Sequence, residues 1–360
     1  MEKFCIFCGQ RPVSKTAEHV IPQWLIEQTG NPNRNVNIGL NRKTYNLRSY
    51  AFDQFVFPAC SSCNNDFAQL ESSVRPFFIH LLNEEPLSAE ALSTFLVWLD
   101  KVRIGLWLAY LMLNENPFGI VPKFHVARRI NASDRMLLIY RSSTTSKGIT
   151  FAGVNSPLFD HHPSCFLLRV NQFCFVNASD SFLLSRRLGL PFLLKASVAP
   201  DSLHLKVKVA AGSKRVLYPL IHKFYSQDCS QIYQPIINPD LRGPNELALL
   251  YDTEYTRRYF TLPSPLGKVL IERGGKIIQY SNSVSFDWIP NTVHPSPYFY
   301  YLATQQTLIL QSLLFNNWPI LGVLPDEKRR WLRGKIAKVK LLQKIMIDQV
   351  NQDLQAAARP

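Results

Sequence analysis

Two cysteine pairs constrain this chain more than any other feature in it. Cys5-Ile6-Phe7-Cys8 and Cys60-Ser61-Ser62-Cys63 form a C-x2-C-x51-C-x2-C frame. Each pair offers two thiolates on one tight turn, and two such turns complete a tetrahedron around a single Zn2+. A metal there pins distant segments together, so the 51 residues between the pairs must fold as a closed loop. Gly9, directly after the first pair, supplies the backbone freedom such a turn needs. Four protein ligands close the coordination shell, so the predicted zinc is structural and leaves no open position for catalysis. Core thiols or a dithiol redox pair are the alternatives; the polar turn residues beside both knuckles argue against them.

Composition narrows the class. With 46% hydrophobic and 12% aromatic residues over 360 positions, the chain is not disordered and is long enough for two or three domains. The seven cysteines are an odd number, and Met1-Glu2-Lys3-Phe4-Cys5 has no apolar leader character, which predicts a reducing, cytoplasmic setting. Phe95 to Leu113 is the most membrane-like stretch, but Asp100, Lys101 and Arg103 interrupt it. The apolar run is too short to span a bilayer, so a buried helix and no membrane partner are expected. The net charge of +14 predicts a polyanionic partner, nucleic acid first. Residues 1–85 balance eight Lys/Arg against eight Asp/Glu, so the surplus lies after them.

Periodicity and breakers predict an α+β chain. Pro22 starts a short helix that Gly30-Asn31-Pro32 ends, residues 33–58 hold strand material ending at Pro58, and a helix runs from Asn64 to about Asn83. A second helix over 87–114 is apolar nearly all round and should lie between layers. Strands are expected at 135–140, 148–154, 165–176 and 203–209, with a short helix capped by Ser179-Asp180-Ser181. Residues 268–272 and 276–280 read as a hairpin, and helices return from 296 onward. The last helix carries an apolar stripe of Leu332, Ile336, Val339, Leu342, Met346, Val350 and Leu354.

The residues that could carry chemistry sit inside the cysteine frame. Glu18-His19 lies between the knuckles, and Asn64 directly follows the last cysteine. Hydrolysis of a phosphodiester needs a base for the attacking water and a cation near the leaving oxygen. A neutral histidine is a suitable base, and a carboxylate with an amide oxygen are hard donors suited to Mg2+. An ordinary polar histidine in a zinc-binding turn is the alternative.

Taken together, Cys-x-x-Cys, Glu18-His19-Val20-Ile21-Pro22 and Cys-x-x-Cys-Asn64 resemble the HNH nuclease family, whose core is the ββα-metal motif. The likeness covers residues 1–80 or so. It implies that His19 is the general base, that Glu18 stands where the family has an Asp metal ligand, and that Asn64 is a ligand on the helix. It also implies that Cys5, Cys8, Cys60 and Cys63 hold structural zinc. The chain departs from the family where Phe55-Val56-Phe57-Pro58-Ala59 lacks the middle Asn, for which Asp53 or Gln54 are the nearby substitutes. Glu71 reads either as a further ligand or as a solvated surface carboxylate, the second being the expectation.

The strongest basic feature is the last helix. Lys328, Arg329, Arg330, Arg333, Lys335, Lys338, Lys340 and Lys344 occur there with no acid between them, a face able to lie along a phosphate backbone. Arg128-Arg129, Arg186-Arg187 and Arg257-Arg258-Tyr259-Phe260 are weaker candidates for nucleic-acid contact, and Asp160-His161-His162 reads as a turn.

The expected architecture is an N-terminal zinc-stapled ββα-metal module (1–84), a bridging helical segment (85–118), a mixed α+β domain with an antiparallel sheet (119–295) and C-terminal helices (296–360). The expected activity is metal-dependent cleavage of nucleic acid, double-stranded DNA before RNA, with Zn2+ structural and Mg2+ or another divalent cation catalytic. A zinc-anchored nucleic-acid-binding protein that does not cut is the alternative. Fold-level analogy adds an anti-phage defence or mobile-element setting, and a protein partner or second copy bound through the C-terminal region.

Overall fold

The computed structural model describes residues 4–12, 16–40, 46–52, 56–114, 125–143, 147–180, 192–198, 205–210, 229–236, 259–261, 264–273, 276–281, 289, 296–316 and 326–358. It is a mixed α+β structure with antiparallel sheets and C-terminal helices.

The N-terminal part is built on two short strands and a helix. Strand β1 (Thr16–His19) pairs antiparallel with β4 (Val56–Ala59), Glu18 opposite Phe57 and His19 opposite Val56. Helix α1 (Gln23–Gln28) follows Pro22, and β2 (Asn35–Leu40) and β3 (Leu47–Ala51) form a hairpin between the paired strands. Pro58, expected to end a strand, lies inside β4 instead. It holds an edge position in a two-stranded sheet, where its missing N–H costs no ladder bond. Helix α2 (Ser61–Leu82) then starts on Cys60 and runs through Pro76.

Helix α3 (Ala89–Leu113) begins where Ser88 Oγ accepts the Ala91 N–H at 3.0 Å. From Trp98 to Leu111 every residue is buried, including Asp100, Lys101 and Arg103. No helix among the described residues is long and apolar enough to cross a membrane.

One antiparallel sheet of seven strands lies beneath α3. Its order is β13-β12-β11-β5-β8-β7-β6, with β5 (Asp134–Arg141), β6 (Ile149–Ala152), β7 (Cys165–Val170), β8 (Phe173–Asp180), β11 (Cys229–Gln234), β12 (Leu270–Arg273) and β13 (Lys276–Gln279). A separate pair joins β9 (Phe192–Val198) to β10 (Leu205–Ala210). The expected strand over 165–176 is two strands, turned at Asn171 with φ +52°. Ser179 and Asp180 are the last residues of β8. Residues 181–191, where that helix was expected, lie outside the described residues.

Both faces of the sheet are covered, which explains its nearly unbroken apolar runs. Leu137, Ile139, Phe166 and Phe175 join the core that contains α2 and α3, with the Phe95 and Phe175 rings 5.1 Å apart. Met136, Leu138, Tyr140 and Leu167 face helix α6 (Ser296–Asn316) through Phe299, Ala303 and Leu310. Of two short helices, α4 (Val126–Arg129) packs against α3 and α5 (Pro157–His161) against α3 and α6; Asp160-His161 is thus helical rather than a turn.

Helix α7 (Asp326–Ala357) packs along α6. The expected stripe is off by one residue at its centre: Leu342 is 49% exposed, and Gln343 takes the inner place. Its amide donates to Leu308 O at 3.1 Å and to Gln311 Oε1 at 3.0 Å, so a polar side chain fits there without an orphaned donor.

Candidate functional site

The four predicted zinc ligands meet. The sulfurs of Cys5, Cys8, Cys60 and Cys63 all lie within 4.8 Å of one another. Sulfurs around a tetrahedral zinc with bonds of about 2.3 Å stand about 3.8 Å apart. Cys8 Sγ and Cys60 Sγ are 3.9 Å apart. The cluster can hold a metal ion and its all-sulfur donor set is compatible with structural zinc. Among the described residues it is the one group of three or more His, Cys, Asp or Glu side chains whose ligand atoms converge in this way.

Local geometry prepares the knuckles. Cys5 O accepts the Gly9 N–H at 2.9 Å, Cys60 N donates to Cys5 Sγ at 3.4 Å, and Ile6 N donates to Pro58 O at 2.9 Å. Gly9 has φ +76°, and a Cβ built on it would overlap the His125 ring. The same segment holds the knuckle through its backbone, with Ala127 N donating to Phe7 O at 3.0 Å. The thiols are unequal: the hydrogen bond with Ser62 pulls Cys60 down to about 6, while burial pushes Cys8 and Cys63 up. Crowded thiols resist joint ionisation until a cation neutralises them.

Glu18 and His19 sit on β1, and Asn64 and Glu71 on α2, whose first turn carries Cys63. Glu18 is buried and His19 half-buried, as expected for neighbours that alternate across a strand. Asn64 lies one turn into α2, its N–H bonded to Cys60 O at 2.9 Å. Its side-chain Oδ1 is buried with no hydrogen-bond partner among the described residues. Glu71 follows seven residues later on the same helical face.

The expectation of a solvated Glu71 is overturned. Its side chain is 17% exposed and pairs with the ammonium of Lys101, which also lies 2.6 Å from Glu18 Oε1. Burial pushes the Glu71 carboxyl up from its ordinary value, Lys101 opposes that, and Glu18 adds to it. Lys101 is itself 2% exposed and stands 5.8 Å over the Phe7 ring. Close packing brings these elements together. A Cβ on Gly105, one turn beyond Lys101, would lie 3.0 Å from Val20 Cγ1, two residues beyond Glu18.

Sequence reasoning missed Lys101, although a signal was present. Asp100, Lys101 and Arg103 stand inside an apolar helix, and a charged group without water needs a partner. The other two point to the sheet: Asp100 joins Arg103 Nη2 at 2.8 Å and Arg135 Nε at 2.7 Å.

The remaining candidates divide. Asp53 and Gln54 lie outside the described residues, as do Arg186-Arg187 and Arg257-Arg258. Arg128 is exposed, while Arg129 is half-buried and held below its usual range by burial. Buried His162 has Nε2 3.6 Å from Asp180 Oδ1. On α7, Arg330, Arg333, Lys335 and Lys338 are exposed; the backbone of Lys328 and Arg329 is helical, and their side chains are outside the described set. Lys335 Nζ lies 4.0 Å over the Trp331 ring, itself 62% exposed.

No family model, no curated protein and no solved structure matches this chain.

Proposed function

We propose that the chain is a zinc-stapled endonuclease of the HNH type that hydrolyses phosphodiester bonds in DNA. One observation carries the reading: the sulfur cluster fastens the first knuckle to the start of α2, beside the strand that bears Glu18-His19. In this reading the base and the carboxylate lie on β1 and the amide oxygen on α2, and the cluster ties the two elements through β4.

In this reading zinc at Cys5, Cys8, Cys60 and Cys63 is structural. Glu18 and Asn64 would hold Mg2+ or another divalent cation, which supplies positive charge for the scissile phosphate and the leaving oxygen. The buried, unpartnered Asn64 Oδ1 fits that role, because a desolvated lone pair is costly unless a cation or donor meets it. A ring nitrogen of half-buried His19 takes the proton of the attacking water. The exposed cations of α7, Arg330, Arg333, Lys335 and Lys338 among them, lie along the phosphate backbone.

A second reading, nucleic-acid binding without cutting, is favoured by the Lys101 ammonium that already neutralises Glu18. Nicking of supercoiled plasmid by zinc-loaded protein separates the two. The nuclease reading expects nicking that needs a divalent cation and is lost in His19→Ala. Equal nicking by both proteins, or none with any divalent cation, removes it and leaves the binding reading in place.

A further inference from the structure

A lysine buried between two carboxylates does what a bound cation does. Lys101 Nζ lies 2.6 Å from Glu18 Oε1 and also contacts Glu71 Oε1. A magnesium ion shared by these two carboxylates would need oxygens at about 2.0–2.1 Å, in the space the ammonium fills. The ammonium arrives on a stem that is 2% exposed, from a helix that is buried throughout its middle. Tethered in this way, it cannot diffuse off. The group of three carries one net negative charge; without the lysine it would carry two, close together and poorly solvated.

We propose that Lys101 is the built-in cation of this acidic site. Its ammonium takes the place of a divalent ion between Glu18 and Glu71, so Glu71 anchors Lys101 and does not bind metal. Lys101 is thereby a positioning residue that fixes the Glu18 carboxylate on β1. The inference deepens the proposed function and rests on its reading of Glu18 as the carboxylate that meets the catalytic cation.

Binding of Mn2+ to the zinc-loaded full chain, followed by the paramagnetic signal of free Mn2+, tests this without reference to cleavage. Wild type and Lys101→Arg are expected to bind Mn2+ within about twofold of each other, and Glu71→Gln, which removes one neighbouring negative charge, up to about tenfold more weakly. Lys101→Met is expected to bind about tenfold tighter or more, since two facing carboxylates lose the counter-charge between them. The double variant Lys101→Met/Glu71→Gln is expected to return to about the wild-type value. A loss of Mn2+ affinity of about a hundredfold or more in Glu71→Gln, as for removal of a direct ligand, would overturn the proposal, and so would wild-type affinity in a folded Lys101→Met. Should Lys101→Met fail to fold, Glu71→Gln and the double variant, which lacks the like-charge pair, still decide. Cleavage is scored separately. An inactive wild type with the expected Mn2+ pattern removes the nuclease reading alone, and an active one weakened by Glu71→Gln removes this inference alone.

Discussion

Lys101 Nζ and Glu18 Oε1 are 2.6 Å apart inside the protein, and the same ammonium reaches Glu71, so one side chain of α3 ties β1 to α2. Removing one member of such a buried group leaves charge without a partner, at about 3–5 kcal/mol. Lys101→Met is therefore expected to lose about that much in urea unfolding at neutral pH. The sign with pH follows from Glu71, whose carboxyl is already raised from 4.5, first by burial. A raised acid costs the fold nothing below its unfolded value and costs more as pH rises through its folded value. The deficit of Lys101→Met against wild type is accordingly largest at neutral pH and shrinks as pH falls toward about 4.5. A deficit that grows on acidification would contradict the assignment.

The sulfur cluster predicts one tightly held zinc per chain, lost on Cys8→Ser or Cys63→Ser and measurable by atomic emission. Thiol chemistry gives a finer check. In the metal-free chain Cys60, lowered to about 6 from 9.0, is the thiolate at neutral pH, while burial holds Cys174 up at about 12. Iodoacetamide should modify Cys60 first after chelation, with a rate that rises through about pH 6, and should spare it while zinc is bound. Because the folded value is the lower one, its contribution to the metal-free fold is present above 9.0 and lost as pH falls through about 6. Early labelling of Cys174 instead would show that the core, not the knuckle, opens.

Gly9 joins a positive φ of 76° to a closed space beside His125. Gly9→Ala is expected to destabilise by about 1–3 kcal/mol and to weaken zinc retention against a chelator. His125→Ala in the same chain should restore the part due to the clash and not the part due to φ. Full rescue would mean that backbone strain plays no role there.

Charge reversal on α7 tests the grip on nucleic acid. Lys335→Glu and Lys338→Glu change exposed residues of α7. Each phosphate that is no longer neutralised should flatten the slope of log affinity against log salt by about 0.9 on duplex DNA. An unchanged slope in the double variant would move the binding face elsewhere.

The parts of the fold legible in the sequence were those with strong local causes. Knuckle spacing gave the sulfur cluster, the apolar run over 87–114 gave α3, and the runs of Phe, Leu and Val over 165–176 gave strand material on both sides of Asn171, though not the turn between them. What stayed hidden depended on partners far along the chain. Leu342 fits an apolar stripe, yet Gln343 is buried because Leu308 O and Gln311 Oε1 on α6 accept its amide. Glu71 looks like a surface carboxylate until α3 brings Lys101 against it across thirty residues of sequence. In the candidate site, residue types were readable and charge pairing was not: Lys101 interrupts an apolar run in the sequence, but its direction toward β1 depends on how closely Gly105 lets Val20 approach.

The most direct test is single-turnover cleavage of duplex DNA by zinc-loaded wild type and His19→Ala, with zinc content and DNA affinity measured on the same samples. His19→Ala is expected to keep its zinc and its affinity and to lose cleavage by about 10²–10⁴-fold, the range for removing a general base. Cleavage by His19→Ala at the wild-type rate would contradict that role.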